Sequence, residues 1–177
     1  YPGLGGTQRT TRVCGIEAAR FAVLAGNFMD AGAASALGLI THLVGASDVT
    51  GTVREISSKG KPANKYPGGP SDPSHPVAAM SKAFYSDSNM GAILSGEAPE
   101  GFDPEDRNVA RQLKSLSRAA PVSVRLASDL LDKALVTDLE AGLQLELDAL
   151  ESIFATKDAR EGLSALVEGR RPEYTGS

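Results

Sequence analysis

The sequence predicts a mainly α-helical chain, and three observations carry that expectation. Apolar residues recur at the 3.6-residue period over most of the length; Gly, Pro, Asp and Thr stand where helices start and stop; and a single short stretch, Leu39 to Val44, is rich in β-formers between glycines. With 177 residues, 41% hydrophobic and 23% charged, the chain can bury one good-sized core.

Taken in order, Gly5 and Gly6 supply a sharp entry, and the Thr7 hydroxyl is expected to cap a first helix that breaks near Gly15. Ile16, Ala19, Val23 and Leu24 mark a second helix ending at Gly26-Asn27. Asp30 caps a short alanine-rich helix that stops at Gly38, and Leu39 to Val44 reads as a strand. Ser47 to Ser58 is weakly helical, and Lys59 to Pro76 is dense in turn formers, a surface excursion. Helical character returns at Val77 to Phe84, at Ser88 to Leu94, and from Pro104 as a first helical residue to Leu116. Pro121 opens the best-patterned region. Val122, Leu126, Leu130 and Leu131 share one face, and Leu139, Leu143, Leu147, Leu150 and Phe154 form a second stripe, so these helices are expected to pack on each other or on another subunit. The last helix is announced by Thr156 and Asp158, with Glu161 completing a capping box, and runs to Arg170-Arg171.

Composition narrows the function. The net charge is −4 with cations scattered among acids, which argues against a nucleic-acid partner. No apolar run reaches the length of a membrane span, and the first segment lacks the pattern of a signal peptide. Cys14 is the sole cysteine and stands far from His42 and His75, so neither a disulfide framework nor a zinc site is expected, and a reducing cytoplasmic setting fits.

Few side chains read as catalytic. The turn Gly3-Leu4-Gly5-Gly6-Thr7-Gln8 leaves backbone N–H groups free to meet an anion or a polarised oxygen, but taken in isolation it reads first as a structural turn. It is neither a dinucleotide fingerprint nor a P-loop. Asp103, Glu105 and Asp106 suit a helix start, while Glu146, Asp148 and Glu151 alternate with leucines and read as a solvated face. Cys14 lies in an apolar helical context that suggests core packing. Arg170 and Arg171 suit a helix C-terminus or a phosphate.

The run Tyr1-Pro2-Gly3-Leu4-Gly5-Gly6-Thr7-Gln8-Arg9, then Leu24-Ala25-Gly26, Gly38-Leu39-Ile40, Phe154-Ala155-Thr156-Lys157-Asp158, Glu161-Gly162 and Glu168-Gly169-Arg170-Arg171, resembles the C-terminal half of the enoyl-CoA hydratase/isomerase, or crotonase, superfamily. The agreement covers Tyr1 to Val44 and Pro121 to Tyr174. The resemblance implies a C-terminal fragment of the α/β ββα-spiral fold: residues 1–46 as its last turn, 47–118 as an inserted, partly helical excursion, and 119–177 as a helical assembly and lid region. It implies a hydratase that adds water across the double bond of a 2-enoyl-CoA in fatty-acid oxidation, where backbone donors stabilise an enolate-like oxyanion and glutamates move the proton.

The family's two glutamates and oxyanion donors match nothing in this chain, so the chain alone is expected to be inactive. Gly3 matches the glycine whose backbone N–H faces the reacting water. Leu150, Phe154 and Leu166 fall where the C-terminal helices line the acyl pocket; Gly169 replaces a lysine that reaches CoA across subunits, with Arg170 as a partial substitute. The implied substrate is an acyl-CoA, the implied assembly a homo-trimer or hexamer, and no cofactor or metal is expected in this chain. Residues 84–100 are similar to fused 3-hydroxyacyl-CoA dehydrogenase/hydratases, which would place NAD in an upstream domain. A non-catalytic oligomerisation module, or a crotonase-type isomerase or hydrolase, is the alternative.

Overall fold

A computed structural model describes residues 1–26, 28–60 and 68–177. Ten α-helices follow one another among them: α1 (Gly6–Cys14), α2 (Ile16–Leu24), α3 (Ala31–Ala36), α4 (Val49–Lys59), α5 (Pro76–Phe84), α6 (Met90–Ser95), α7 (Arg107–Leu116), α8 (Pro121–Lys133), α9 (Leu139–Phe154) and α10 (Lys157–Glu168). The mainly helical expectation holds.

Local chemistry sets most boundaries. Gly15, at φ 84°, separates α1 from α2 at a backbone geometry that other residues resist. Asp30 accepts from the Ala33 N–H to open α3, Asp138 from Ala141 to open α9, and Pro76 and Pro121 occupy first turns where a missing N–H costs nothing. Helix α7 starts later than Pro104 suggests. Asp106 caps it by accepting from the Asn108 and Val109 N–H groups, which fixes Arg107 as the first helical residue.

Three expectations are corrected. Leu39 to Val44 is not a strand: no strand occurs among the described residues to pair with it, the Leu39 N–H instead donates to the Ala34 carbonyl at the end of α3, and the rest runs as an irregular connection with Thr41 to Val44 exposed. Thr7 is not a cap but lies inside α1, whose N-cap is Gly5. Asp158 does not begin α10 either. Thr156 caps it through the Ala159 N–H, whereas buried Asp158 accepts from the Thr175 and Gly176 N–H groups and so clasps the C-terminal tail.

The core lies where α1 and α2 meet α8, with α5 laid over α2 and α9 on α1. Cys14, Phe21, Leu37, Phe84, Tyr85, Ile93 and Leu131 are buried there. Phe84 meets Tyr85 and Phe102 edge-on, at centroid separations of 5.1 and 5.3 Å. The region between residues 76 and 116 therefore contributes to the same core as the flanking segments. Of the turn-rich stretch 59–76, residues 61–67 lie outside the described residues, and 68–75 run as turns and irregular chain before α5.

A buried arginine ties these layers together. Arg20 of α2 donates to the Tyr85 carbonyl at 3.0 Å and pairs with Asp87 and Asp132 at 2.7 Å each. It thus links α2, the end of α5 and α8.

Candidate functional site

Helix α1 begins in a glycine turn and has no side-chain cap of its own, leaving the N–H groups of its first turn to find an acceptor. The acceptor comes from α9. Glu146 Oε2 receives the Gly5 N–H at 2.5 Å, while Oε1 receives the Thr7 N–H at 3.0 Å and the Thr7 hydroxyl at 2.5 Å. The carboxylate is buried, 3% exposed, and sits at the positive end of α1. It caps a helix that lies about 140 residues away in sequence.

This overturns the reading of Glu146 as part of a solvated face. Helix α9 buries Gly142 and Glu146, one turn apart, rather than its leucines. Gly142 has no Cβ because the Gln8 side chain occupies that space. Gln8 in turn donates to the Leu130 carbonyl at 2.8 Å, and Arg12 bridges Gln8 Oε1 at 3.0 Å to the Thr137 carbonyl at 2.7 Å. A polar seam therefore joins α1, α8 and α9, and both ends of its hydrogen bonds are satisfied.

With the seam inside, the leucines of α9 face outward and border a groove of about 350 Å³. One wall is Gly3, Leu4 and Gly5; the other is Leu143, Leu147 and Leu150. Arg9 lies at the groove with its guanidinium on the Leu4 carbonyl. Leu4 is the one non-glycine residue at positive φ among the described residues, 57°, and its side chain is 94% exposed. That combination stores strain to aim an apolar side chain outward beside Gly3.

Gly3 is exposed and its N–H has no hydrogen-bond partner among the described residues. Tyr1 closes the start of the turn by donating its hydroxyl to the Glu146 carbonyl oxygen at 2.6 Å. Burial first, and the Glu146 charge second, raise the Tyr1 hydroxyl above its ordinary range. Cys14 is fully buried and its thiol is pushed up to about 12 by desolvation, which leaves it protonated and inert.

Of the residues singled out from sequence, Gly3 and Leu150 meet in this groove. Phe154 and Leu166 do not border it; they are exposed, at 62% and 78%. Arg170 is held by Glu161 at 2.5 and 2.9 Å and by Glu168 at 2.6 Å. Sequence reasoning missed Glu146, Leu143 and Leu147 as parts of the site; the Gly142–Glu146 spacing on α9 was the available signal.

A family model described as enoyl-CoA hydratase/isomerase matches residues 1–176. The chain is 26% identical over 174 residues to the "Probable enoyl-CoA hydratase echA8" of Mycobacterium bovis, an alignment that takes in 98% of this chain and 46% of that protein. It is 22% identical over 172 residues to the short-chain-enoyl-CoA hydratase of Clostridium acetobutylicum, covering 97% of this chain and 44% of the relative. With the crotonyl-CoA hydratase of Syntrophomonas wolfei it shares 29% identity over 85 residues, 48% of this chain and 32% of the relative. The chain thus spans less than half the length of these curated relatives. Matched from its glycine turn to its C-terminal tail, the chain belongs to the enoyl-CoA hydratase/isomerase family.

Proposed function

We propose that this chain supplies the acyl-CoA-binding, C-terminal portion of an enoyl-CoA hydratase of the fatty-acid oxidation type. The observation that carries the reading is the meeting of a free backbone donor with an apolar channel. Gly3 offers an unpartnered N–H beside the wall formed by Leu143, Leu147 and Leu150. An acyl chain lies along such leucines, and the N–H meets the water or hydroxyl that adds to the double bond.

The same groove argues against turnover by the chain on its own. Among the described residues Glu146 is the only carboxylate that lines it, and both its oxygens are occupied by α1 donors. A general base must reach the reacting water, and a carboxylate spent on capping does not. The proton-transfer glutamates would belong to another part of the parent protein.

Titration of crotonyl-CoA into the 177-residue chain is expected to show binding without loss of the enoyl absorbance, and Leu150→Asp to weaken that binding about tenfold or more. Hydration at an ordinary enzyme rate would refute the claim of inactivity. An absence of binding would refute the acyl-CoA site.

A second reading, as an oligomerisation and lid module, is favoured by one observation. Phe154, Leu163, Leu166 and Val167 are apolar side chains that the described residues leave exposed on α9 and α10. The two readings are compatible, because none of these four side chains lines the groove. Arg170 fits this reading as a brace for α10 and contributes to a CoA phosphate only by exchanging its glutamates.

A further inference from the structure

Away from the groove, a second hollow of about 300 Å³ opens between the end of α2, α3, α5 and α7. Its inner wall is apolar and polarisable: Phe21, Met29, Val77 and Met80. Phe28 stands at its mouth, 98% exposed. An aromatic ring held wholly in solvent beside two methionines is a stacking surface without its partner.

The polar groups at the hollow are few and differ in kind. Asp30 gives one oxygen to the Ala33 N–H at 2.7 Å, and its Oδ2 has no partner among the described residues. His75 Nδ1 accepts from the Val77 N–H at 3.3 Å, so the neutral ring carries its proton on Nε2 as a donor. Asn108 and Arg111 line the hollow and also an adjoining groove of about 640 Å³, where Arg107 and Lys114 join them.

These three cations recur at i, i+4 and i+7, one exposed face of α7, and none makes an ion pair among the described residues. Asp106, at the start of the helix, gives its Oδ1 to the Asn108 and Val109 N–H groups. In a chain of net charge −4, these three cations stand on one helix face that is continuous with an apolar hollow.

We propose that this hollow and groove bind a nucleoside phosphate: the base against Phe28 and the methionines, sugar hydroxyls on Asp30, and the phosphates on Arg107, Arg111 and Lys114. The chemistry excludes simpler occupants. A fatty carboxylate carries one negative charge and no hydroxyl donors for Asp30, whereas two guanidinium forks and an ammonium match a multiply charged phosphate. A bare phosphate leaves the apolar hollow empty. The site is separate from the acyl groove and does not rest on the hydratase reading.

The test is calorimetric titration of the full chain with ADP, adenosine and inorganic pyrophosphate, in the absence of any acyl-CoA. ADP is expected to bind at least about tenfold tighter than either of its parts, and more weakly as salt rises. Arg111→Ala and Phe28→Ala, both at exposed positions and checked for folding by circular dichroism, should each weaken ADP about tenfold. Arg111→Lys should fall between them and the parent. Pyrophosphate binding as tightly as ADP would overturn the proposal, as would ADP binding that Arg111→Ala leaves unchanged, or no ADP binding at all.

Discussion

At the scale of single residues, Glu146 is the position on which the site depends. Its carboxylate satisfies the Gly5 and Thr7 N–H groups and the Thr7 hydroxyl, all of them in buried residues. Glu146→Ala strands those donors, and each buried, unsatisfied donor costs about 1–3 kcal/mol. Urea unfolding should therefore show a loss of several kcal/mol, with Glu146→Gln losing less because one carbonyl oxygen remains. A loss under about 0.5 kcal/mol for the alanine variant, the size typical of surface substitutions, would show that the capping carboxylate is dispensable.

Glu161 gives a pH test at the same scale. Hydrogen bonds from Arg170, then from the Glu173 N–H, hold its carboxyl down at about 2. A depressed carboxyl stabilises the folded state above its unfolded pKa, ordinarily about 4.3, and loses that contribution as the pH falls toward the folded value. The tail at Glu173 should accordingly loosen between about pH 4 and 2, read by faster hydrogen exchange of the Glu173 amide after correction for intrinsic rates. Exchange protection that stays level across that window would refute the assignment.

At the scale of elements, helix α9 shows what a one-dimensional pattern conveys and what it hides. Its existence and its extent to Phe154 follow from its leucine periodicity, as the Asp30 cap of α3 and the Pro121 start of α8 follow from local residues. Its inward face did not follow, because the leucines dominate the periodicity while the buried pair is Gly142 and Glu146. A glycine and a glutamate one turn apart look like solvent-facing residues until α1 offers Gln8 and a row of N–H groups to fill the space. The groove was legible at Gly3 and Leu150; Leu143 and Leu147 belong to it because of how α9 rolls on α1, which periodicity alone does not specify.

That close contact of helices makes its own prediction. A Cβ at position 142 would overlap the Gln8 amide, so Gly142→Ala must displace Gln8 and its bonds to Leu130 and Arg12. Alanine usually favours a helix over glycine by about 1 kcal/mol, yet overpacking costs about 1–3 kcal/mol, and here the second effect should prevail. Denaturant unfolding should find Gly142→Ala less stable than the parent and Gly142→Ala with Gln8→Ala partly restored. A simple gain in stability from the single change would mean that α1 and α9 sit farther apart than the structure places them.

For the molecule as a whole, the distribution of apolar surface is uneven in a way that bears on assembly. The core between α1, α2, α5 and α8 is filled with buried aliphatic and aromatic groups, whereas α9 and α10 leave Leu147, Phe154, Leu163, Leu166 and Val167 exposed. Such side chains bury for about 1.5–3 kcal/mol each when covered, enough in combination to drive self-association at ordinary protein concentrations. Light scattering should find the chain larger than its 18.3 kDa monomer mass. Phe154→Asp combined with Leu166→Asp should return it to that mass without loss of helical circular dichroism, since both side chains already stand in solvent within the single chain. A parent chain that remains monomeric at high concentration would instead leave these helices to a different partner and remove the oligomerisation reading, while the groove proposed for an acyl chain, lined by Gly3 and Leu150 within one chain, would stand or fall on its own titration.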